Sequence, residues 1–154
     1  MIVLGVDPGL AATGWGIVRR QGSRLIPVGY GAIRSEGELP ERLSHIYGSL
    51  RAVIQEHRPD CLSVEMVFKG PNVLTLIKLA HARAAALLAG SEMGLEVAEY
   101  TPMQIKRAVT GRGAADKSQV AFMITRLLGL SAPPRPLDAS DALAAAICHL
   151  NAAP

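Results

Sequence analysis

The sequence predicts a mixed α/β fold in which one sheet is flanked by helices, and three observations carry that expectation. Short apolar runs separated by turn dipeptides fill the first third of the chain. From residue 40 the apolar period becomes helical, with Leu43, Ile46, Tyr47, Leu50, Val53 and Ile54 at that spacing. Beyond residue 60, two further strand-like runs alternate with helical segments.

In chain order, the first strand covers residues 2–7 and closes on Asp7, just before the turn dipeptide Pro8-Gly9. Strands over 14–20 and 24–33 follow, with Gln21-Gly22-Ser23 as the hairpin turn between them. The three form a β-meander. A helix over 40–57 is ended by Pro59, and a fourth strand covers 61–66. A strand entered through a helical crossover normally lies parallel to an earlier one. Pairing beside the first strand brings Glu65 to the same carboxyl-terminal edge as Asp7, the edge where ligands of open α/β sheets collect. Residues 73–93 read as a long helix that is apolar on more than one face. Residues 96–100 are the fifth strand, followed by a helix over 102–109 that Gly111-Arg112-Gly113 breaks. Asp116 is placed to cap a helix over 117–128. The stiff segment Ala132-Pro133-Pro134-Arg135-Pro136 precedes the last helical run, Ala142 to Ile147.

Composition bounds the function. A chain of 154 residues that is 49% hydrophobic and 19% charged is expected to fold as one soluble domain spanning 1–154, with no disordered tract. The formal charge of +3 permits a polyanionic partner without requiring one. Cys61 and Cys148 each fall inside an apolar element and read as buried thiols in a reducing compartment. No basic leader precedes Asp7, and the most apolar helical stretch, 79–90, contains His81 and Arg83 and is shorter than a bilayer span. A cytoplasmic location away from the membrane is therefore expected. His45, His57, His81 and His149 show no zinc-ligand spacing.

The chemistry points to the acids Asp7, Glu65, Asp138 and Asp141. Each has an ordinary reading alone. Asp7 suits a turn, Asp138 a helix N-cap and Asp141 the first turn of a helix. Glu65 is harder to place, because glutamate is depleted in strands. Asp138 and Asp141, three residues apart, share one helix face. Carboxylates in apolar surroundings are costly without a cationic partner, so the joint pattern points to a divalent ion. An all-oxygen cage suits Mg²⁺ or Mn²⁺ and not zinc. Two such ions roughly 3.5–4 Å apart can activate a water and stabilise the leaving oxygen of a phosphodiester. Lys69, Lys106, Arg112 and Lys117 are candidate phosphate contacts, and Phe68, in a polar loop, either packs inward or stacks on a base. A solvated surface position is the stronger reading for Arg107.

Four segments, Val6-Asp7-Pro8-Gly9, Val64-Glu65-Met66-Val67-Phe68, Asp116-Lys117-Ser118-Gln119-Val120 and Asp138-Ala139-Ser140-Asp141-Ala142-Leu143-Ala144, closely resemble the RuvC family of bacterial Holliday-junction resolvases. The likeness runs in order along essentially the whole chain. It implies a ribonuclease H-like fold with a mixed five-stranded sheet, and a homodimer that nicks two opposed strands of a four-way DNA junction symmetrically. It implies Asp7, Glu65, Asp138 and Asp141 as ligands of Mg²⁺, with two ions per site and Mn²⁺ able to substitute. By the same resemblance, Lys106 and Lys117 occupy basic positions implicated in activity, and Phe68 that of an aromatic contacting the junction. Association with the RuvA–RuvB branch-migration machinery is a further implication.

Three other readings compete. A phosphotransferase of the actin and sugar-kinase type would use Asp7-Pro8-Gly9 through Gly14 as a phosphate loop, yet needs a second lobe and leaves Glu65 and the late Asp pair idle. A junction-binding protein without catalysis would be marked by a lost acid, and none is lost. A ribonuclease H-fold nuclease with broader nucleic-acid substrates would keep all four acids.

Overall fold

The computed structural model describes residues 1–66 and 72–153. Three strands, β1 (Ile2–Asp7), β2 (Ala12–Gln21) and β3 (Arg24–Arg34), form the antiparallel meander. The two-residue turn between β2 and β3 has Gly22 at φ 60°, a conformation that its missing Cβ allows at no steric cost. Both β2 and β3 run past the expected limits, because Ala12 and Thr13 find partners in Arg34 and Ile33. Pairing, not residue preference, extends them.

Helix α1 (Leu39–His57) begins on Pro40 in its first turn and ends at Arg58, which adopts the left-handed conformation (φ 48°) just before Pro59. β4 (Cys61–Glu65) then pairs parallel with β1, Val6 beside Val64. α2 (Val73–Glu92) is capped by the Asn72 side chain, and β5 (Glu96–Tyr100) adds parallel to β4. The strand order is β3-β2-β1-β4-β5. Helix α3 (Pro102–Thr110) opens on a capping box from Thr101 and Gln104, and α4 (Lys117–Leu127) on one from Asp116 and Gln119.

The last helix differs from expectation. α5 runs from Leu137 to Ala152 with Pro136 at its N-cap, so Asp138 and Asp141 lie inside its first turns and neither caps it. Proline at the cap starts a helix through its fixed φ without a side-chain acceptor, and that signal is easily passed over.

The sheet is covered on both faces. α1 and α2 lie on one side, where Leu4, Val6, Ile17 and Leu62 meet Ile46, Leu50 and Ile54. α3, α4 and α5 lie on the other, with α5 directly on β1 and β2. Burying each large aliphatic side chain contributes about 1.5–3 kcal/mol. Cys61 and Cys148 are buried and free, and burial pushes both thiols up to about 11. With 20 residues and an 18-residue stretch of mean hydropathy 1.4, α2 has the length and composition of a membrane span. The stretch 79–90 is by itself shorter than a bilayer span, and Val73, Leu74, Leu76 and Ile77 extend the apolar run along the same helix. Its alanine face (Ala82, Ala85, Ala86, Ala89) is buried, while Val73, Leu74 and Ile77 are exposed.

Candidate active site

Register alone assigns the acids to one face. Asp7 stands opposite Gly14, and a side chain at Gly14 would point at Asp138 of α5. Ser63, two residues before Glu65, donates its hydroxyl to the carbonyl of Ala145 at 2.7 Å, so Glu65 also faces α5. α5 supplies Asp138 and Asp141 from above.

How closely α5 can approach depends on side chains the sheet lacks. A Cβ at Gly5 would lie 1.8 Å from the carbonyl oxygen of Ala142, and one at Gly14 would lie 2.1 Å from that of Asp138. Ala142, Ala144, Ala145 and Ala146 keep the helix side equally small. These gaps set the height of the two aspartates above the strand ends. The loop after Asp7 is held by Thr13, whose hydroxyl accepts from the Gly9 N–H at 3.2 Å and donates to the Gly9 carbonyl at 2.7 Å. Arg83 of α2 donates to the Glu65 backbone carbonyl at 3.4 Å and forms an ion pair with Glu99 at 2.7 Å. Sequence reasoning missed both residues in this role. An arginine set in an alanine-rich helix was the one available signal.

Asp7, Glu65 and Asp141 line a pocket of about 250 Å³ together with Lys106, Lys117 and the apolar Ile105, Val120 and Ala144. Lys117 Nζ lies 3.7 Å from Asp141 Oδ2. Desolvation, then the charges of Asp141, Asp138 and Glu65, push the Asp7 carboxyl up to about 8. Glu65 and Asp141 are also raised, burial being the largest cause in each. Lys117 opposes the rise at all three carboxyls, and Lys106 opposes it at Glu65 and Asp141.

The cluster therefore holds more negative charge than its surroundings neutralise. Among the described residues no three His, Cys, Asp or Glu side chains close tightly enough to form a finished ion cage. Lys117 is the cation nearest Asp141 and offsets part of that charge. The donor set fits a hard divalent cation: the acids offer oxygen only, they sit in one pocket, and their shared repulsion is what such a cation relieves.

The other expected site residues divide. Arg112 does not line the acid pocket. It borders a separate open groove with Thr110, Ser118, Gln119 and Phe122. Phe68 and Lys69 lie outside the described residues. His149 shares a 2.8 Å hydrogen bond with the Tyr100 hydroxyl, and His57 packs on Trp15, so both have structural partners.

Comparison with known proteins gives a consistent result. Residues 3–149 match the family model described as crossover junction endodeoxyribonuclease RuvC. The chain is 48% identical over 151 residues to the protein of that description from Desulforamulus reducens, covering 97% of this chain and 93% of that protein. It is 50% identical over 153 residues to the one from Salinispora arenicola, covering 97% and 87%. Among solved structures, Thermus thermophilus RuvC in complex with a Holliday junction substrate superposes with a TM-score of 0.94 at 34% identity, covering 99% of this chain and 94% of that one. The fold is ribonuclease H-like, as expected.

Proposed function

The chain belongs to the RuvC family of crossover junction endodeoxyribonucleases, and from that premise we propose that it resolves four-way junctions by paired symmetric nicks, in homologous recombination and DNA repair. The observation that carries the reading from this chain's own residues is the convergence of Asp7, Glu65 and Asp141 in one pocket, with Asp138 near enough to raise the Asp7 carboxyl. A phosphotransferase would use Asp7 in a phosphate loop but leave Glu65, Asp138 and Asp141 without a role.

Asp7, Glu65, Asp138 and Asp141 would hold Mg²⁺, two ions per site, with Mn²⁺ able to substitute. When bound, the ions would supply charge neutralisation and activation of the attacking water. Lys106 and Lys117, already beside the carboxylates, stand where they can steady charge developing on the phosphoryl oxygens. The small apolar wall of Ile105, Val120 and Ala144 limits water around the reacting group, which strengthens each of these interactions. Cleavage leaves 5′-phosphate and 3′-hydroxyl ends. Residues 1–154 act as a single nuclease domain in the cytoplasm, and Phe68, Lys69 and Arg112 add DNA contacts.

Two copies act together. The exposed Val73, Leu74 and Ile77 of α2 offer an apolar face to a second copy, and a two-fold dimer matches a two-fold substrate. Sedimentation as a monomer at working concentration would remove the dimer. The RuvA–RuvB machinery is the further partner the reading implies.

The test is cleavage of a labelled four-way junction beside linear duplex of the same sequence, with Mg²⁺ and with EDTA. Paired nicks in the junction alone, only with metal, are expected. Asp7→Asn should abolish them while leaving junction binding largely intact, because binding rests on phosphate contacts. Wild-type cutting by that variant would defeat the assignment.

A further inference from the structure

We infer that Arg34 and Arg135 form a second phosphate-binding site, on the opposite side of the acid cluster from Lys106 and Lys117, which holds the cut strand about three nucleotides from the scissile phosphate. The inference rests on the proposed nuclease reading and adds to it the path of the strand.

The placement follows from register. Arg34 pairs with Ala12, two residues before Gly14 on β2, so it shares the α5 face with Gly14 and hence with Asp7. It ends β3 at the edge where β1 ends in Asp7. Along that edge the order is Arg34, then β2, then Asp7 and Glu65, then β5 leading into α3 and Lys106. The acids are flanked by cations on both sides.

Arg135 arrives from elsewhere in the chain. It precedes α5, and with Arg34, Pro133, Pro134, Pro136 and Leu137 it lines an open groove of about 620 Å³. Leu137 immediately precedes Asp138, so one end of the groove lies at the start of the helix that carries the acid pair. No carboxylate lines it, and among the described residues neither guanidinium makes an ion pair. Two free guanidinium groups over a floor of prolines and one exposed leucine suit a sugar-phosphate backbone, which presents anions and apolar sugar edges in alternation. Two strand spacings separate β3 from β1, about 10 Å, which is about three nucleotides at 3.4 Å per nucleotide.

The experiment measures junction affinity of the full chain in Mg²⁺-free buffer from 50 to 200 mM salt, for wild type, Arg34→Gln, Arg135→Gln and the double variant. Arg24→Gln, at the hairpin on the far edge of the sheet, controls for a bare loss of charge. Each phosphate contact contributes about 0.9 to the salt slope, so wild type should lose about tenfold more affinity over this range than the double variant. Arg24→Gln should keep the wild-type slope, and Arg34→Lys should recover most of what Arg34→Gln loses. Junctions carrying one neutral methylphosphonate at successive positions then locate the contact. Loss of affinity for wild type but not for the double variant, about three nucleotides from the cut, supports the site. An unchanged slope, or neutral linkages that weaken both proteins equally at every position, overturns it while wild-type junction cleavage leaves the nuclease reading standing. Failure of wild type itself to bind or cut junctions removes both.

Discussion

On one face of the sheet, Leu4, Ile17 and Leu62 interlock with Ile46, Leu50 and Ile54 from α1, large side chain against large side chain. On the other, Gly5, Gly14 and Gly16 present almost bare backbone to the alanines and Leu143 of α5. The first face gains its stability from apolar area and tolerates small shifts of a helix, because side chains can repack. The second gains proximity. With backbone against backbone, α5 cannot slide or rise without moving Asp138 and Asp141 away from Asp7 and Glu65. The difference shows that residue volume, as much as residue chemistry, decides which face of a sheet can carry a constellation of acids.

The most damaging way to break this contrast is to give the glycines under α5 a side chain. Gly14→Val should lift the start of α5, cost about 3 kcal/mol or more in thermal or denaturant unfolding, and abolish junction cleavage even below the melting transition. Full cleavage by a folded Gly14→Val protein would show that close approach is not what positions the acids.

On the opposite face, Leu50→Ala should cost about 2–5 kcal/mol in denaturant unfolding. Its turnover at a temperature where it is folded should stay near wild type. A large fall in turnover without a change in stability would erase the distinction between the faces.

The third test concerns charge and sharpens the comparison. The Asp7 carboxyl is raised in the folded state to about 8, so its contribution to stability is fully present below the unfolded value of about 3.9 and is lost as pH rises through about 8. In EDTA the melting temperature should therefore decline across that window, with Glu65 and Asp141 adding in the same direction. Saturating Mg²⁺ should flatten the decline, and Asp7→Asn should lessen it in EDTA. A profile identical for wild type and variant would mean that repulsion at Asp7 does not destabilise the metal-free protein.

Much of this architecture was readable in the chain because its signals are local. The apolar run ending at Asp7, the helical period after residue 40 and the capping residue Asp116 each act within a few residues. The parallel pairing of β1 and β4 followed from the helical crossover between them, and it took Asp7 and Glu65 to one edge. What local signals could not convey was contact between distant backbones. Gly5 and Gly14 carry no periodicity that announces a helix far along the chain, and their role lies in the room that a side chain would fill. The same limit hid Arg34 beside Arg135. The start of α5 was misplaced for a different reason. Pro136 caps it without a side-chain hydrogen bond, so the usual polar marker is missing.

The packing of α5 against β1 also bears on the order of assembly. Asp7 lies on the first strand of the chain and Asp141 on the last helix, so the contact between them closes one of the longest loops the fold contains. Such long-range contacts form late, since their loop entropy is offset only when much else is in place. A chain whose last helix has not docked lacks the pair that completes the cluster. The nuclease would be silent until the whole chain has folded, which protects DNA from an endonuclease still being made.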